Sequence, residues 1–215
     1  MARLRFLLGA ALLTAAAATP LRAQQVQDWQ YKWYWGIKGG MIGYTMPTSG
    51  MQFVPAGGLE WLITQSRVAL YIGYLQSFTT EQDTFTVQNL AGTQTVTFDG
   101  YRQIQANVVA FILSGNIQPY AGGGFVLSTL TSARDPGAAS NAASQDAIQE
   151  AASGGFLQLM AGVQLRFGKK AAGFVQYEYT PQGRDFLLSG GGHSFEFGLR
   201  YAFLGSRETD PGARR

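Results

Sequence analysis

The chain contains no cysteine, so it has no disulfide framework, no thiolate metal site and no cysteine that could carry a lipid after export. It also lacks, beyond its N-terminal segment, any apolar run of about 18 residues, which excludes a transmembrane helix. A chain of this kind can enter a membrane only as a closed barrel, because unpaired backbone groups that face lipid are too costly.

The N-terminus is typical of a secretory signal peptide. Arg3 and Arg5 precede an apolar run from Phe6 to Ala18, Pro20 interrupts it, and Ala23 offers a small residue for cleavage. The run is too short to remain as a spanning anchor. The pattern therefore predicts a signal peptide over residues 1–23 and export from the cytoplasm.

The charge balance indicates no nucleic-acid partner. The chain has 16 Lys and Arg against 13 Asp and Glu, but three of the arginines lie in the predicted signal peptide. The remaining charges balance, so the basic character of the whole chain does not describe the exported protein. No linker divides residues 24–203, which we interpret as one barrel domain followed by a short polar C-terminal tail, residues 204–215.

Strict alternation of apolar and polar residues over Ser194–Phe203 is what a strand with one lipid-facing and one interior-facing side requires. The pattern recurs in segments of about ten residues or more, the length of a tilted membrane-spanning strand. The predicted fold class is all-β, an eight-stranded antiparallel up-and-down transmembrane β-barrel. The predicted strands are Trp33–Met46, Met51–Ile63, Arg67–Phe78, Val96–Leu113, Ile117–Thr129, Gly155–Phe167, Ala172–Thr180 and His193–Phe203.

The connections after the second, fourth and sixth predicted strands are short, whereas those after the third and fifth, Thr79–Thr95 and Leu130–Gly154, are long. Tight periplasmic turns and longer outer loops are typical of outer-membrane barrels. This asymmetry predicts that both ends of the barrel domain lie on the periplasmic side. Aromatic residues near the strand ends indicate two interfacial girdles.

Two motifs resemble a known family. Glu196, Gly198, Tyr201 and Phe203 match the polar-x-Gly-x-x-aromatic-x-aromatic ending of outer-membrane barrels, and Gln118–Gly124 resembles the Pro-Tyr and Gly-rich strand of opacity-like barrels. That superfamily includes the transmembrane domain of outer membrane protein A. The resemblance implies location in the cell outer membrane, with outer-membrane lipid and the barrel assembly machinery as partners. The chain departs from it in having residues after the final aromatic.

Charged residues at predicted interior positions form the main candidate site. The interior of an eight-stranded barrel is just wide enough for side chains to fill it, and charges survive there only when they are paired. We therefore expect a buried polar network that plugs the lumen. Its predicted members are Lys38, Glu60, Arg67, Arg166, Glu178, Glu196 and Arg200.

The sequence gives little support for a catalytic site or a metal site. His193, Ser194 and Glu196 invite comparison with the lipid A deacylases, but adjacent strand residues point to opposite faces, so Ser194 and His193 cannot form their pair. Gly122–Gly124 lies in a strand with no helix after it, which excludes a phosphate cradle. Outer-loop carboxylates lack the spacing of a calcium loop and are interpreted as solvated charges. They are Asp83, Asp99, Asp135, Asp146 and Glu150. The sequence predicts no enzyme, cofactor or metal.

The two long loops differ in composition. Ser132–Ser153 is rich in small polar residues and is expected to be mobile or to hold a short helix around Ala142–Ala152. The other loop carries apolar residues and is the better candidate for surface binding through a protruding hairpin. These apolar residues are Phe85, Val87, Leu90 and Val96.

The functional hypothesis is a non-enzymatic integral outer-membrane barrel with a plugged polar lumen, which contributes to envelope structure or surface interaction; no surface partner is named by the sequence. The alternative is a conduit or carrier for a small apolar molecule, including a soluble periplasmic barrel of the lipocalin type. Apolar residues at interior positions would line its cavity. These are Tyr71, Val109, Phe111, Met160 and Phe174.

Overall fold

Eight long antiparallel strands close into one barrel in the computed structural model, which describes residues 32–87, 90, 92–137, 142–168, 170–183, 185–188 and 190–205. The order around the barrel is β1-β10-β9-β8-β7-β6-β3-β2, so the predicted fold class is confirmed. In chain order the elements are β1 (Lys32–Met46), β2 (Gly50–Gln65), β3 (Val68–Ser77), β4 (Glu81–Phe85), β5 (Gln94–Phe98), β6 (Gly100–Phe111), β7 (Ile117–Thr131), α1 (Ala142–Ala151), β8 (Ser153–Phe167), β9 (Ala171–Gln182) and β10 (Gly190–Gly205).

Each barrel strand turns its apolar set outward. In β10, Phe197 and Leu199 are exposed while Glu196 and Arg200 are buried, as a period of two requires. The outward apolar side chains of all eight strands form a continuous surface, here called the apolar belt. Its exposed members include Ile37, Leu59, Leu70, Val108, Phe125, Leu127, Leu157, Leu159, Val175, Phe197 and Leu199. A surface this apolar suits lipid and not water.

Two glycines allow the backbones of β1 and β10 to approach each other closely at the seam, where these two strands pair. A Cβ on Gly40 would lie 2.0 Å from the Phe195 carbonyl oxygen, and a Cβ on Gly198 would lie 2.2 Å from the Ile37 carbonyl oxygen. No side chain fits at such distances, so only glycine allows the two strands to approach this closely at these positions. Because this seam closes the barrel, closure depends on both residues.

The predicted strand Val96–Leu113 is wrong in its first part. β5 ends at Phe98 and pairs with β4 in a separate two-stranded sheet, whereas the barrel strand β6 begins at Gly100. The alternation is interrupted between the two strands, since the buried positions are Val96 and Phe98 in β5 but Tyr101 and Gln103 in β6. The single predicted strand passed over this interruption. β4 and β5 thus form a hairpin in the loop between β3 and β6.

The other boundaries lie close to their predicted positions. β10 extends through Leu204 and Gly205, which pair with Trp33 and Lys32, so the last strand ends two residues later than expected. The predicted signal peptide and residues 206–215 of the tail lie outside the described residues. Within the described part of the chain, no helical segment combines the length and hydropathy that membrane crossing requires.

Candidate functional site

The barrel interior is filled by three layers of side chains. Along β1, for example, Ile42, Lys38 and Tyr34 point inward in succession from the loop end to the turn end, and they belong to an apolar, a polar and an apolar layer. We call the apolar layers the outer cluster and the inner cluster, and the residues between them the polar layer. Barrel residues of the outer cluster include Ile42, Tyr44, Met46, Val54, Leu75, Tyr101 and Leu130. The inner cluster comprises Tyr34, Leu62, Ala69, Tyr71, Val109, Phe111, Tyr120, Met160 and Ala202.

One buried ion pair in the polar layer joins β1 to β10. The Lys38 Nζ lies 2.8 Å from Glu196 Oε2, and both side chains are inaccessible to solvent. The same ammonium donates to the Tyr71 hydroxyl of β3 at 2.9 Å, past the intervening strand β2. The pair therefore links the seam strands to β3.

A second ion pair joins β10 to β2. Arg200 donates to Glu60 through Nε to Oε1 and through Nη2 to Oε2, the bidentate geometry that suits a guanidinium and a carboxylate. Nη1 donates to Gln164 Oε1 at 2.8 Å. The guanidinium carbon also lies 3.9 Å from the centroid of the Phe174 ring, a cation–π contact. The contacts with Glu60, Gln164 and the Phe174 ring therefore fix the position of the Arg200 guanidinium.

Gln176 connects the two ion pairs. Its Nε2 donates to Glu196 Oε2 at 2.8 Å and to Glu178 Oε1 at 2.9 Å, while its Oε1 accepts from Arg200 Nη2 at 3.2 Å and from the Tyr120 hydroxyl at 2.7 Å. The polar layer is therefore one hydrogen-bonded network and not two separate pairs. Coupling of this kind makes the removal of any member costly.

The polar layer contains three buried carboxylates, Glu60, Glu178 and Glu196, and two buried cations, Lys38 and Arg200. Glu178 is the carboxylate without an ion pair among the described residues. Side-chain amides surround it instead, since Gln158 Nε2 donates to Glu178 Oε2 at 3.0 Å and Gln176 donates to the other oxygen.

Two predicted members of the network lie elsewhere. Arg67 is exposed in the turn between β2 and β3, where its carbonyl accepts from the Phe111 amide, so its inward assignment is wrong. Arg166 is half-buried near the turn end of β8 and forms no ion pair with Glu178 or Glu196, two carboxylates that the structure describes. Both residues belong to the ends of their strands, where a side chain at an inward position can still reach water.

Neutral side chains supply much of the network, which the predicted set of charged residues did not include. The signal was present, since these residues occupy the same inward alternation as the charges. They are Tyr71, Asn107, Tyr120, Gln158, Gln164 and Gln176.

The outer mouth of the barrel is covered by loops. Phe85 and Val96 of the hairpin are almost fully buried in the outer cluster, as is Val87. The predicted use of these apolar residues as an exposed binding surface is therefore wrong. Their hydrophobic effect folds the hairpin back over the mouth, and Leu90 is only half-buried against the same cluster.

Asp83 of β4 fastens the hairpin to the loop between β1 and β2. Its carboxylate accepts from the backbone amides of Thr48 at 3.1 Å and Ser49 at 3.2 Å, and from the Thr48 hydroxyl. Asp83 is buried, so its interpretation as a solvated loop charge is wrong. A buried carboxylate needs such donors because it has left water.

The long loop after β7 contains the expected short helix, α1. Ile148 of this helix is completely buried in the outer cluster. Gln145 and Gln149 donate to the Ala133 carbonyl at 2.8 Å and 2.9 Å, and the Leu187 amide donates to the Ala151 carbonyl at 3.0 Å. The helix, the hairpin and the loop before β10 thus close the mouth together.

The structure separates the residues of the rejected catalytic triad. The His193 Nδ1 lies 2.7 Å from the Tyr177 hydroxyl on the outside of the barrel, whereas Ser194 is buried and bonded to Gln103 at 3.4 Å. Among the described residues, no group of His, Asp or Glu side chains could hold a metal ion.

The four residues of the C-terminal motif occupy both faces of β10. Glu196 belongs to the polar layer, and Gly198 lies at the seam. Tyr201 and Phe203 face outward, where they are exposed and their ring centroids lie 5.0 Å apart. Two aromatic rings on the lipid-facing side near the turn end are accessible to a partner in the membrane.

No protein-family model and no curated protein sequence matches the chain. Among solved structures, Neisserial surface protein A matches with a TM-score of 0.55 at 12% identity, over 80% of this chain and 97% of that one. Ail of Yersinia pestis matches with a TM-score of 0.48 at 14% identity, over 81% and 99%. The N-terminal β-barrel domain of Pseudomonas aeruginosa OprF matches with a TM-score of 0.45 at 11% identity, over 81% and 100%. The chain therefore has the fold of the eight-stranded outer-membrane β-barrels, in agreement with its predicted localisation in the cell outer membrane.

Proposed function

We propose that the protein is a non-enzymatic integral outer-membrane barrel with a plugged lumen, and that it contributes to the structure of the envelope. The observation that carries this proposal is the network around Gln176, which joins two buried ion pairs across the interior between two apolar clusters. An open pore needs a continuous aqueous path, and here side chains from all sides of the barrel meet instead.

The energetics favour a permanent plug. A buried charge that loses its partner costs several kcal/mol, so Arg200 and Lys38 do not leave their carboxylates readily. Loops cover the outer mouth above them, and their apolar residues are buried. A solute would have to displace both the network and the outer cluster.

Surface interaction, the second role considered, would have to use polar contacts. The apolar residues of the hairpin are turned inward, while Asp146 and Glu150 of α1 are exposed. Asp99 and Arg134 form an exposed ion pair at 2.8 Å beside them. Among the described residues of the outer loops, Phe78 is the exposed large apolar side chain and the other exposed groups named here are charged, which favours the envelope role over adhesion.

The carrier alternative needs an unfilled apolar cavity. Tyr71, Val109, Phe111 and Met160 pack together in the inner cluster, and Phe174 stacks on Arg200, so these side chains fill the space that a ligand would occupy. A soluble lipocalin-type barrel would also need its polar face outward, opposite to the apolar belt. Both observations favour the plugged barrel.

Conductance in planar bilayers tests the proposal. Full-length mature protein should insert without current steps. The folded variant Lys38→Ala/Glu60→Ala/Glu196→Ala/Arg200→Ala empties the polar layer but keeps both apolar clusters, so steps from it would assign the block to the polar layer and silence would assign it to the clusters and the loops. The matched control is Asp99→Ala/Arg134→Ala, which removes an exposed ion pair and should stay silent. Folding of each protein is checked by its faster migration when unboiled on a detergent gel.

Discrete current steps from the folded wild-type protein would overturn the plug. An apolar molecule that copurifies stoichiometrically, detected by mass spectrometry, would favour the carrier instead.

A further inference from the structure

The outward face of the barrel strands, as far as the structure describes them, carries one charged side chain. Across the outward positions of the eight barrel strands that the structure describes, Arg102 is the single Lys, Arg, Asp or Glu. It is the first outward side chain after Gly100 at the loop end of β6. The positions that follow it on the same face are apolar, beginning with Ile104 and Val108, which are exposed.

Arg102 lies at the edge of the apolar belt. The segment of β6 from Arg102 to its end at Phe111 covers about 30 Å at about 3.3 Å per residue, and a strand tilt of about 40° reduces this to a height of about 23 Å, close to the apolar band of about 25 Å. The guanidinium therefore lies at headgroup level on the side of the long loops.

Neighbouring side chains orient this guanidinium without neutralising it. Gln76 of β3 accepts from Arg102 Nε at 3.4 Å, and the Tyr74 hydroxyl donates to the same Gln76 oxygen. No carboxylate of the described residues forms an ion pair with Arg102. Among the described residues, the hydrogen bond of the Arg102 guanidinium is the one from Nε to Gln76, so its terminal nitrogens, Nη1 and Nη2, are left as donors.

A hydroxyl group lies on the other side of Arg102, on Thr129 of β7, which is its direct cross-strand partner. The hydroxyl oxygen of Thr131, the next outward residue of β7, is buried and has no hydrogen-bond partner, so it does not belong to this polar surface. A guanidinium fork beside a hydroxyl suits a cluster of phosphate oxygens.

We propose that Arg102, positioned by Gln76 and flanked by Thr129, binds the phosphate of an anionic lipid headgroup in the leaflet that faces the long loops. Arg102 has no carboxylate partner among the described residues, and the anion that lies beside the lipid-facing surface at this level is the lipid's own phosphate. Because guanidinium binds phosphate bidentately, this contact would fix one lipid against β3, β6 and β7.

Native mass spectrometry tests the site with protein released from vesicles that contain equal amounts of a phosphatidylcholine and a phosphatidic acid. Wild-type protein should retain the phosphatidic acid preferentially, and Arg102→Gln should lower its retention roughly tenfold, the effect of losing one charge-assisted contact. Arg102→Lys should retain an intermediate amount, since an ammonium cannot bind bidentately.

Arg134→Gln is the matched control because it also removes one arginine from the loop end, but one that is exposed and paired with Asp99. It should retain phosphatidic acid as the wild type does. Equal retention by folded Arg102→Gln and wild-type protein would overturn the proposal. Displacement of the lipid by millimolar inorganic phosphate would also overturn it, because the site would then recognise the free ion and not a lipid.

The detergent-gel shift separates this proposal from the plugged barrel. Arg102→Gln should keep both the shift and the silence in planar bilayers, because Arg102 makes no contact with the polar layer. If Arg102→Gln loses the shift, the site is tested by Thr129→Val, which keeps a β-branched strand residue. Lower retention of phosphatidic acid by this folded variant would support the site, and unchanged retention would overturn the assignment of the Thr129 hydroxyl to it.

Discussion

Removal of the Arg200 guanidinium should destabilise the barrel through the carboxylate it leaves behind. Arg200→Gln would leave Glu60 buried and without a cation. It would also remove the hydrogen bonds to Gln164 and Gln176 and the contact with the Phe174 ring. Breaking a buried pair by removing one partner costs about 3 to 5 kcal/mol, and we expect the free energy of unfolding to fall by that amount.

The double variant Glu60→Gln/Arg200→Gln distinguishes a stranded charge from lost packing. It removes the unpaired carboxylate and lets two amides bond to each other, so it should be more stable than Arg200→Gln by about 1 to 3 kcal/mol. Non-additivity in this direction is expected only if the two side chains interact directly.

Urea unfolding in lipid vesicles, followed by tryptophan fluorescence and by the unboiled gel band, measures these differences. Arg134→Gln is the control, because its guanidinium is exposed and paired with Asp99 on the outside; it should leave the midpoint unchanged. The reasoning is refuted if Arg200→Gln shifts the midpoint no more than Arg134→Gln, or if the costs of the two single variants simply add in the double variant.

Three further predictions concern the cover, the seam and the loop pair. Asp83→Ala should lower the free energy of unfolding by about 1 to 3 kcal/mol, because Thr48 and Ser49 lose their acceptor. Limited proteolysis should then cut the hairpin while the barrel band stays shifted on the gel. An uncut hairpin would contradict this prediction. Gly198→Ala should abolish the gel shift, since its Cβ would meet the Ile37 carbonyl at 2.2 Å, whereas Gly57→Ala, whose Cβ is 3.9 Å from its neighbour, should not. The Arg134 hydrogen bond lowers the pKa of Asp99, so the stabilisation by this pair is present above the unfolded pKa and is lost as the pH falls through the folded one. An NMR titration should place the Asp99 carboxyl below its ordinary pKa, and Arg134→Gln should remove that shift.

Alternation was enough to predict the barrel, because the two faces of each strand meet unlike surroundings. The polar face of β10 and the apolar face of β8 could be assigned from residue type alone. A membrane barrel magnifies this signal, since its outside excludes charge almost completely and Arg102 is the sole exception among the described strand positions.

Tertiary context set the limits of the prediction. Val96 and Phe98 alternate with polar residues as barrel strands do, but the sheet they join is the hairpin, and only the fold back over the mouth makes them interior. Asp83 looked like a solvated charge because its donors, Thr48 and Ser49, are over thirty residues away in sequence. The inward assignment of Arg67 was wrong for a simpler reason, because a residue at the end of a strand need not follow the alternation of that strand.

The most direct test of a closed barrel in the outer membrane is to fractionate the membranes of cells that express the full chain and to run the outer-membrane fraction unboiled and boiled on a detergent gel. We predict that the protein is found in that fraction and migrates faster when unboiled, as a detergent-resistant closed barrel does. A soluble periplasmic product with no shift would contradict the assignment, because the apolar belt would then have to face water.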